Sequence, residues 1–161
     1  MSVGSLELII GPMYAGKSTE LIKKIKIYEI LEKNILIVNH SINNRYGTKG
    51  ISTHDKLTFD NSINIEYLSD LEKDFNLLFQ KSEIIIIEEL QFFKDAFQKI
   101  TEWIDKHNKK VIAAGLVSDY KKKPFGDVLS LIPHAEEVIK LNALCKRCKD
   151  GTKACFTKRI I

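Results

Sequence analysis

Eight consecutive residues, Gly11-Pro12-Met13-Tyr14-Ala15-Gly16-Lys17-Ser18, satisfy the pattern Gly-x-x-x-x-Gly-Lys-Ser in full. A loop of this kind turns its backbone N–H groups inward around phosphate oxygens, helped by the N-terminus of a following helix. Lys17 supplies a cation for the terminal phosphates, and the Ser18 hydroxyl supplies an oxygen ligand for Mg²⁺. A second group closes an apolar run: Ile84-Ile85-Ile86-Ile87 ends in Glu88 and Glu89. Side chains alternate along a strand, so the two carboxylates are expected to point in different directions. One would face Mg²⁺ beside Ser18, and the other would take a proton from a substrate hydroxyl as general base. Phosphoryl transfer asks mainly for positioning and charge neutralisation, so one base and one metal-linked carboxylate suffice.

These residues need a scaffold that brings strand ends together. Leu6–Ile10 is a short apolar run ending at Gly11, the pattern of a buried strand. Leu21, Ile25 and Tyr28 recur at helical spacing and predict a helix from Ser18 to about Lys33. Ile35–Val38 reads as the next strand, followed by a polar loop holding Asn43, Asn44, Arg45, Tyr46 and Gly47. Ser69 and Glu72 form a capping-box pattern that opens a helix through about Gln80. Residues 82–89 predict a central strand covered on both faces, 95–106 a helix, and 110–116 another buried strand. Strands alternating with helices predict an α/β fold, a parallel sheet flanked by helices as in P-loop NTPases, with ligands outside the carboxyl ends of the strands. From Glu136 the pattern becomes a short strand, a Cys-x-x-Cys turn at Cys145 and Cys148, and a second short strand ending at Arg159. Half of a zinc ribbon has this spacing. The chain therefore divides into a nucleotide-binding domain, 1–135, and an incomplete zinc-ribbon-like subdomain, 136–161.

The bulk properties narrow the class. The 161 residues are 44% hydrophobic and 29% charged, enough for one domain with a real core. No apolar run approaches the roughly 20 residues of a membrane helix, and the N-terminus lacks a signal-like pattern. Three cysteines near the C-terminus are no disulfide framework. A cytoplasmic protein is expected, with no membrane partner. Residues 1–119 carry 15 basic and 17 acidic groups, against 10 and 4 in 120–161. A basic C-terminal third can attract polyanions, but without an arginine cluster it reads as a solvated lysine-rich surface, and nucleic acid is not the expected partner.

Taken in order, the motifs resemble those of the thymidine kinases of the cellular and poxviral tetrameric type. GPMYAGKSTEL (11–21) is similar to the family's GPMFSGKSTEL, NNRYG (43–47) with THD (53–55) to its NDNRYG and THD, and EELQFF (88–93) to DEAQFF. KKPFG (122–126), LIPHAEEVIKLNALC (131–145) and FTKR (156–159) look like RKPFG, LIPLAEEVTKLNAVC and YTKR. The resemblance implies transfer of the ATP γ-phosphate to the 5′-hydroxyl of thymidine, and deoxyuridine stands as a second acceptor. It implies Glu89 as general base and Glu88 with Ser18 on Mg²⁺. Met13, Gln91, Phe92, Leu116, Tyr120 and Phe125 match residues around the nucleoside, Arg45 matches a substrate- and phosphate-side arginine, and the assembly implied is a homotetramer. Zn²⁺ at Cys145 and Cys148 is implied as a half-site.

Four positions depart from the family pattern. Glu88 and Asn43 stand where the family has Asp, Val117 replaces a third Asp, and Leu90 replaces an Ala. Fewer acidic groups near Mg²⁺ imply weaker metal binding or a shifted geometry. A segment beyond FTKR that covers the nucleoside and supplies a second ligand pair is expected to be lacking. Two other functions fit parts of the pattern: a catalytically impaired nucleotide-binding paralogue acting as regulatory or structural partner, and a P-loop ATPase acting on nucleic acid.

Overall fold

The computed structural model describes residues 3–42, 51–52, 58–59 and 62–158. Its centre is a six-stranded sheet in the order β5-β2-β6-β7-β1-β8, every neighbouring pair parallel. The strands are β1 (Ser5–Ile10), β2 (Ile35–His40), β5 (Ser62–Ile65), β6 (Ile84–Ile87), β7 (Lys110–Gly115) and β8 (Glu137–Lys140). Two short antiparallel pairs lie outside it: β3 (Ile51–Ser52) with β4 (Thr58–Phe59), and β9 (Ala143–Leu144) with β10 (Lys153–Ala154). The helices are α1 (Lys17–Ile30), α2 (Asp70–Asp74), α3 (Asn76–Lys81), α4 (Ala96–Lys106) and α5 (Val128–Leu131).

The period of two divides the strand residues between two cores, as a doubly covered sheet requires. Ile84 and Ile86 join Ile9, Ile37 and Ile112 beneath Leu21, Ile22 and Ile25 of α1. Ile85 and Ile87 join Leu8, Val38 and Val111 on the opposite face, with Phe79, Ile100 and Trp103. The α/β architecture expected from the alternating pattern is therefore present, with α1, among the described helices, covering one face. A buried ion pair fixes that helix to the phosphate-loop strand: Lys24 Nζ lies 2.6 Å from Glu7 Oε1.

Four local expectations are corrected. The helix expected from Ser69 to about Gln80 is broken into α2 and α3 at Phe75, whose φ of −129° is not helical. The capping box does not form, because Ser69 makes no side-chain cap. Glu72 instead turns to α4, where its Oε1 accepts from Trp103 Nε1 at 2.6 Å and Lys99 Nζ at 3.0 Å. A buried indole N–H needs an acceptor, and meeting that need outweighs a reciprocal cap on the surface. The entry to α2 is held from outside, the N–H groups of Leu68 and Ser69 donating to the Asp95 carboxylate at 2.9 Å. α1 stops at Ile30 rather than at Lys33, since Glu32 takes a left-handed φ of 54°. β8, whose residues fall in the expected 136–161 unit, is an edge strand of the main sheet, leaving β9 and β10 as the ribbon.

Candidate active site

β1 ends at Ile10, and the next residues turn back as a loop into the first turn of α1. Gly16 caps that helix with a φ of 89°, a conformation costly for any side chain. Gly11 and Pro12 are buried, Ala15 is half-buried, and Met13 and Tyr14 are exposed at the crest. Lys17 reaches back over the loop and donates to the Pro12 carbonyl at 2.7 Å. Burial pushes its ammonium pKa down, opposed by the negative charges of Glu89 and Glu88.

β7 separates β1 from β6, so the phosphate strand and the acidic strand end lie two strand spacings, about 10 Å, apart. The side chains close this gap: Ser18 Oγ donates to Glu88 Oε1 at 2.9 Å. Glu88 is only 6% exposed, and its second oxygen, Oε2, is buried with no hydrogen-bond partner. Its carboxyl is pushed up to about 8, first by burial and then by the charge of Glu89, while the Ser18 hydrogen bond and Lys17 pull it back. A hydroxyl and an orphaned carboxylate oxygen at one point are the oxygen donors a hard divalent cation takes. Ser18 and Glu88 therefore fit Mg²⁺.

Glu88 and Glu89 have different partners, but not through strand alternation. The strand ends at Ile87, and Glu89 has a left-handed φ of 55° before a 3-10 turn over Leu90–Phe92. That reversal turns Glu89 away from Glu88. Its Oε2 accepts from Gln91 Nε2 at 2.5 Å, and its charge acts on both Lys17 and His40.

Beyond Glu89 the surface becomes aromatic. Phe92 meets Phe125 edge-on, with ring centroids 5.5 Å apart, and His40 at 5.6 Å. Gln91 Oε1 accepts from the Leu116 N–H at 3.0 Å, which ties the Phe92 turn to the end of β7. The loop after Leu116 folds on itself: Asp119 Oδ1 accepts from the N–H groups of Lys121 and Lys123, and the Phe125 N–H returns to the Val117 carbonyl at 3.0 Å. This closure presents Phe125 to Phe92. Tyr120 stands at the exposed tip of the same loop. Leu90, bulkier than the family's Ala, is fully buried in the core. Val117 packs against that core and carries no charge toward Ser18.

The structure brings together the phosphate loop, Glu88, Glu89, Gln91, Phe92, Leu116 and Phe125. Arg45 and Asn43 lie outside the described residues. Cys145 and Cys148 share a turn in which the Cys148 N–H donates to Cys145 Sγ at 3.4 Å. Among the described residues no third His, Cys, Asp or Glu joins them as a metal group.

Three residues without an expected role belong to the site. Thr157 accepts from the Met13 N–H at 3.0 Å, and Lys146 Nζ lies 4.4 Å from the Tyr14 ring centroid. His40 is the third, its Nδ1 accepting from the Ile42 N–H at 3.1 Å. Burial lowers its pKa, against a hydrogen bond to the Glu66 backbone and the charges of Glu66 and Glu89. Only Thr157 had a sequence signal, as part of FTKR; the others are visible only once the ribbon and β2 are placed beside the loop. A wider groove, lined by Tyr67, Asp95, Phe97 and Asp127, shares no residue with the site.

The fold is similar to that of a DNA replication initiation factor of known crystal structure, with a TM-score of 0.51 at 12% identity over 85% of this chain and 40% of that one. At that identity the likeness concerns the fold alone. Sequence relatives are nearer. The chain is 41% identical over 165 residues to a thymidine kinase of Choristoneura fumiferana entomopoxvirus, covering 98% of this chain and 86% of the relative. To a thymidine kinase of vaccinia virus (strain Ankara) it is 40% identical over 160 residues, covering 99% and 85%. The family model described as thymidine kinase matches residues 4–161. With the phosphate loop, the divided carboxylates and the aromatic wall all in the matched segment, the chain belongs to the thymidine kinase family.

Proposed function

We propose that the protein transfers the γ-phosphoryl group of ATP to the 5′-hydroxyl of thymidine, and to that of deoxyuridine as a second acceptor. The observation that carries this reading is the separation of two adjacent carboxylates. Glu88 is buried against the Ser18 hydroxyl, whereas Glu89 is turned by its left-handed backbone toward Gln91 and the aromatic wall. A transfer between two oxygens needs charge neutralisation at the phosphate and a base at the acceptor, and the split provides one carboxylate for each task.

In this mechanism the loop N–H groups of residues 11–18 hold the phosphates and Lys17 leaves the Pro12 carbonyl to pair with the γ-phosphate. Ser18 and Glu88 would hold Mg²⁺, which would supply charge neutralisation at the phosphates. Glu89 accepts the proton of the 5′-hydroxyl as the oxygen attacks phosphorus, and ADP leaves. Met13, Phe92, Leu116, Tyr120 and Phe125 form the apolar surfaces around the thymine ring, with Arg45 on the phosphate side. Gly11, Pro12, Tyr14, Ala15 and Gly16 shape the loop.

The reading extends to organisation. The nucleotide-binding unit, residues 1–135, works with the ribbon-like unit beyond, with β8 counted in the main sheet. Cys145 and Cys148 would supply two thiolates to a zinc ion. Because the described residues offer no third, no step depends on zinc. A cytoplasmic homotetramer is part of the proposal. Ile27, Ile30 and Leu31 are exposed on α1, Val138 is exposed on the edge strand β8, and apolar surface of this kind supports self-association.

Thymidine-dependent release of ADP from ATP tests the function directly. Turnover that requires Mg²⁺ and disappears in Glu89→Gln is expected. Absence of turnover in folded, ATP-binding protein would overturn the proposal and leave a nucleotide-binding partner role instead.

A further inference from the structure

Gln91 is a neutral amide only 4% exposed, and both ends of it are engaged. Its Oε1 accepts from the Leu116 N–H at 3.0 Å, and its Nε2 donates to Glu89 Oε2 at 2.5 Å. The orientation is forced. A backbone N–H can only donate, so the amide oxygen must face β7 and the NH₂ group must face Glu89. Two glycines make room for the arrangement. A Cβ at Gly115 would stand 2.9 Å from Gln91 Oε1, and one at Gly126 would stand 2.4 Å from the Gln91 carbonyl oxygen.

A free glutamate turns easily about its last torsion, which is broad and two-fold. Either oxygen then faces a substrate part of the time. One charge-assisted hydrogen bond at a rigid donor removes that freedom. Building on the reading of Glu89 as general base, the geometry points to Gln91 as a positioning residue rather than a nucleoside contact. Its NH₂ group pins Oε2 of Glu89, so that Oε1 alone is presented to the 5′-hydroxyl. Its carbonyl ties that orientation to the end of β7, the strand that also carries Leu116 into the site. Base and aromatic wall thereby share one rigid reference.

The test compares wild type, Gln91→Met, Gln91→Glu and Glu89→Gln in steady-state kinetics with thymidine and ATP varied separately. Methionine keeps length and apolar bulk but has no amide. Glutamate keeps an acceptor for the Leu116 N–H and, when ionised, has no donor for Glu89. It is therefore compared at a pH above the range in which the two carboxyls share a proton. Both Gln91 variants are expected to lose about 100-fold in kcat, the scale of a misplaced reacting group, with either KM changed by less than about threefold. An equal loss in both assigns the effect to the donor rather than to packing. A raised KM for thymidine with kcat retained would make Gln91 a substrate contact and overturn the proposal, as would wild-type kcat in Gln91→Met.

The Glu89→Gln arm separates the two levels. Wild-type kcat there removes the general-base reading itself, whatever the Gln91 variants do. An inactive Glu89→Gln beside a fully active Gln91→Met removes only the positioning role. If the Gln91 variants fail to fold by circular dichroism, Gly115→Ala carries the same test, because its Cβ presses on Gln91 Oε1 without altering Glu89. It is expected to lower kcat and not KM, and an unchanged kcat overturns the proposal.

Discussion

The two halves of the site are built on different physical terms. The phosphate half consists of β1, the loop and the first turn of α1, shaped by a short backbone stretch, the cross-sheet pair of Ser18 and Glu88, and the Thr157 contact to the Met13 N–H. The proposed nucleoside half is assembled from three separate chain segments: His40 at the end of β2, the Phe92 turn after β6, and the loop from Leu116 to Phe125. A local backbone motif tolerates changes elsewhere and fails only at its own residues. A surface composed from distant loops fails by degrees, as each contributor moves. On the proposed reading the first half binds and neutralises the phosphates, while the second presents the base and the acceptor.

The sharpest way to break this contrast is at Lys17. Lys17→Ala is expected to lower ATP turnover by about 1,000-fold, the upper scale for removing one preorganised charge-stabilising group, while thymidine binding measured by calorimetry is retained. A comparable loss of thymidine binding would show that the halves are not separable.

Glu88 provides the next largest effect. With its carboxyl raised to about 8, the folded protein holds a proton there that the unfolded chain releases in the ordinary carboxylate range. Stability from this group is thus fully present at acid pH and is lost as pH rises toward and through about 8. Mg²⁺ competes with that proton. At 100 times its dissociation constant it should add about 2.7 kcal/mol, and in thermal melts a fixed Mg²⁺ concentration should raise Tm more at pH 9 than at pH 6. Equal shifts at both values would separate the metal from Glu88.

In the nucleoside half, Phe92→Ala removes one ring of a composed wall. It is expected to raise KM for thymidine about tenfold, or about 1.4 kcal/mol, within the range for an aromatic contact, with KM for ATP unchanged. The smallest effect is outside both halves. Burial pushes Glu72 upward, but the Trp103 and Lys99 hydrogen bonds and the Lys99 charge outweigh it and hold its carboxyl below the usual range. The stability it adds is present at neutral pH and fades as pH falls through that lowered value. Glu72→Gln should cost about 1 kcal/mol at pH 7 and less at pH 3, measured by urea unfolding, with kcat unaffected.

Legibility followed the same division. The phosphate loop, the four isoleucines and the strand 110–116 were readable because their information is local: a fixed spacing, or a run too apolar for any surface. The different surroundings of Glu88 and Glu89 were expected from alternation but arise otherwise, since alternation cannot anticipate a left-handed residue at the strand end. Glu72 shows the opposite failure. Its spacing from Ser69 is a good local signal, overruled by an indole N–H 31 residues away in sequence. His40 and Lys146 reach the site through contacts between distant segments, which no spacing encodes. Gln91 was legible as a site residue, while its forced amide orientation depended on the Leu116 N–H. Arg45 and Asn43, expected on the substrate side, are beyond the described residues.

The left-handed backbone at Glu89 also bears on how this position can drift over generations. The residue types that adopt such a φ most readily are glycine, asparagine and aspartate, and among these only aspartate keeps a carboxylate. It is one methylene shorter and would withdraw from both Gln91 and an acceptor hydroxyl. Neutral wandering at codon 89 is thus blocked from two sides, by shape for most amino acids and by reach for the one that shape prefers. Glu88 carries no left-handed constraint, so its exchange for aspartate is limited only by reach to Ser18.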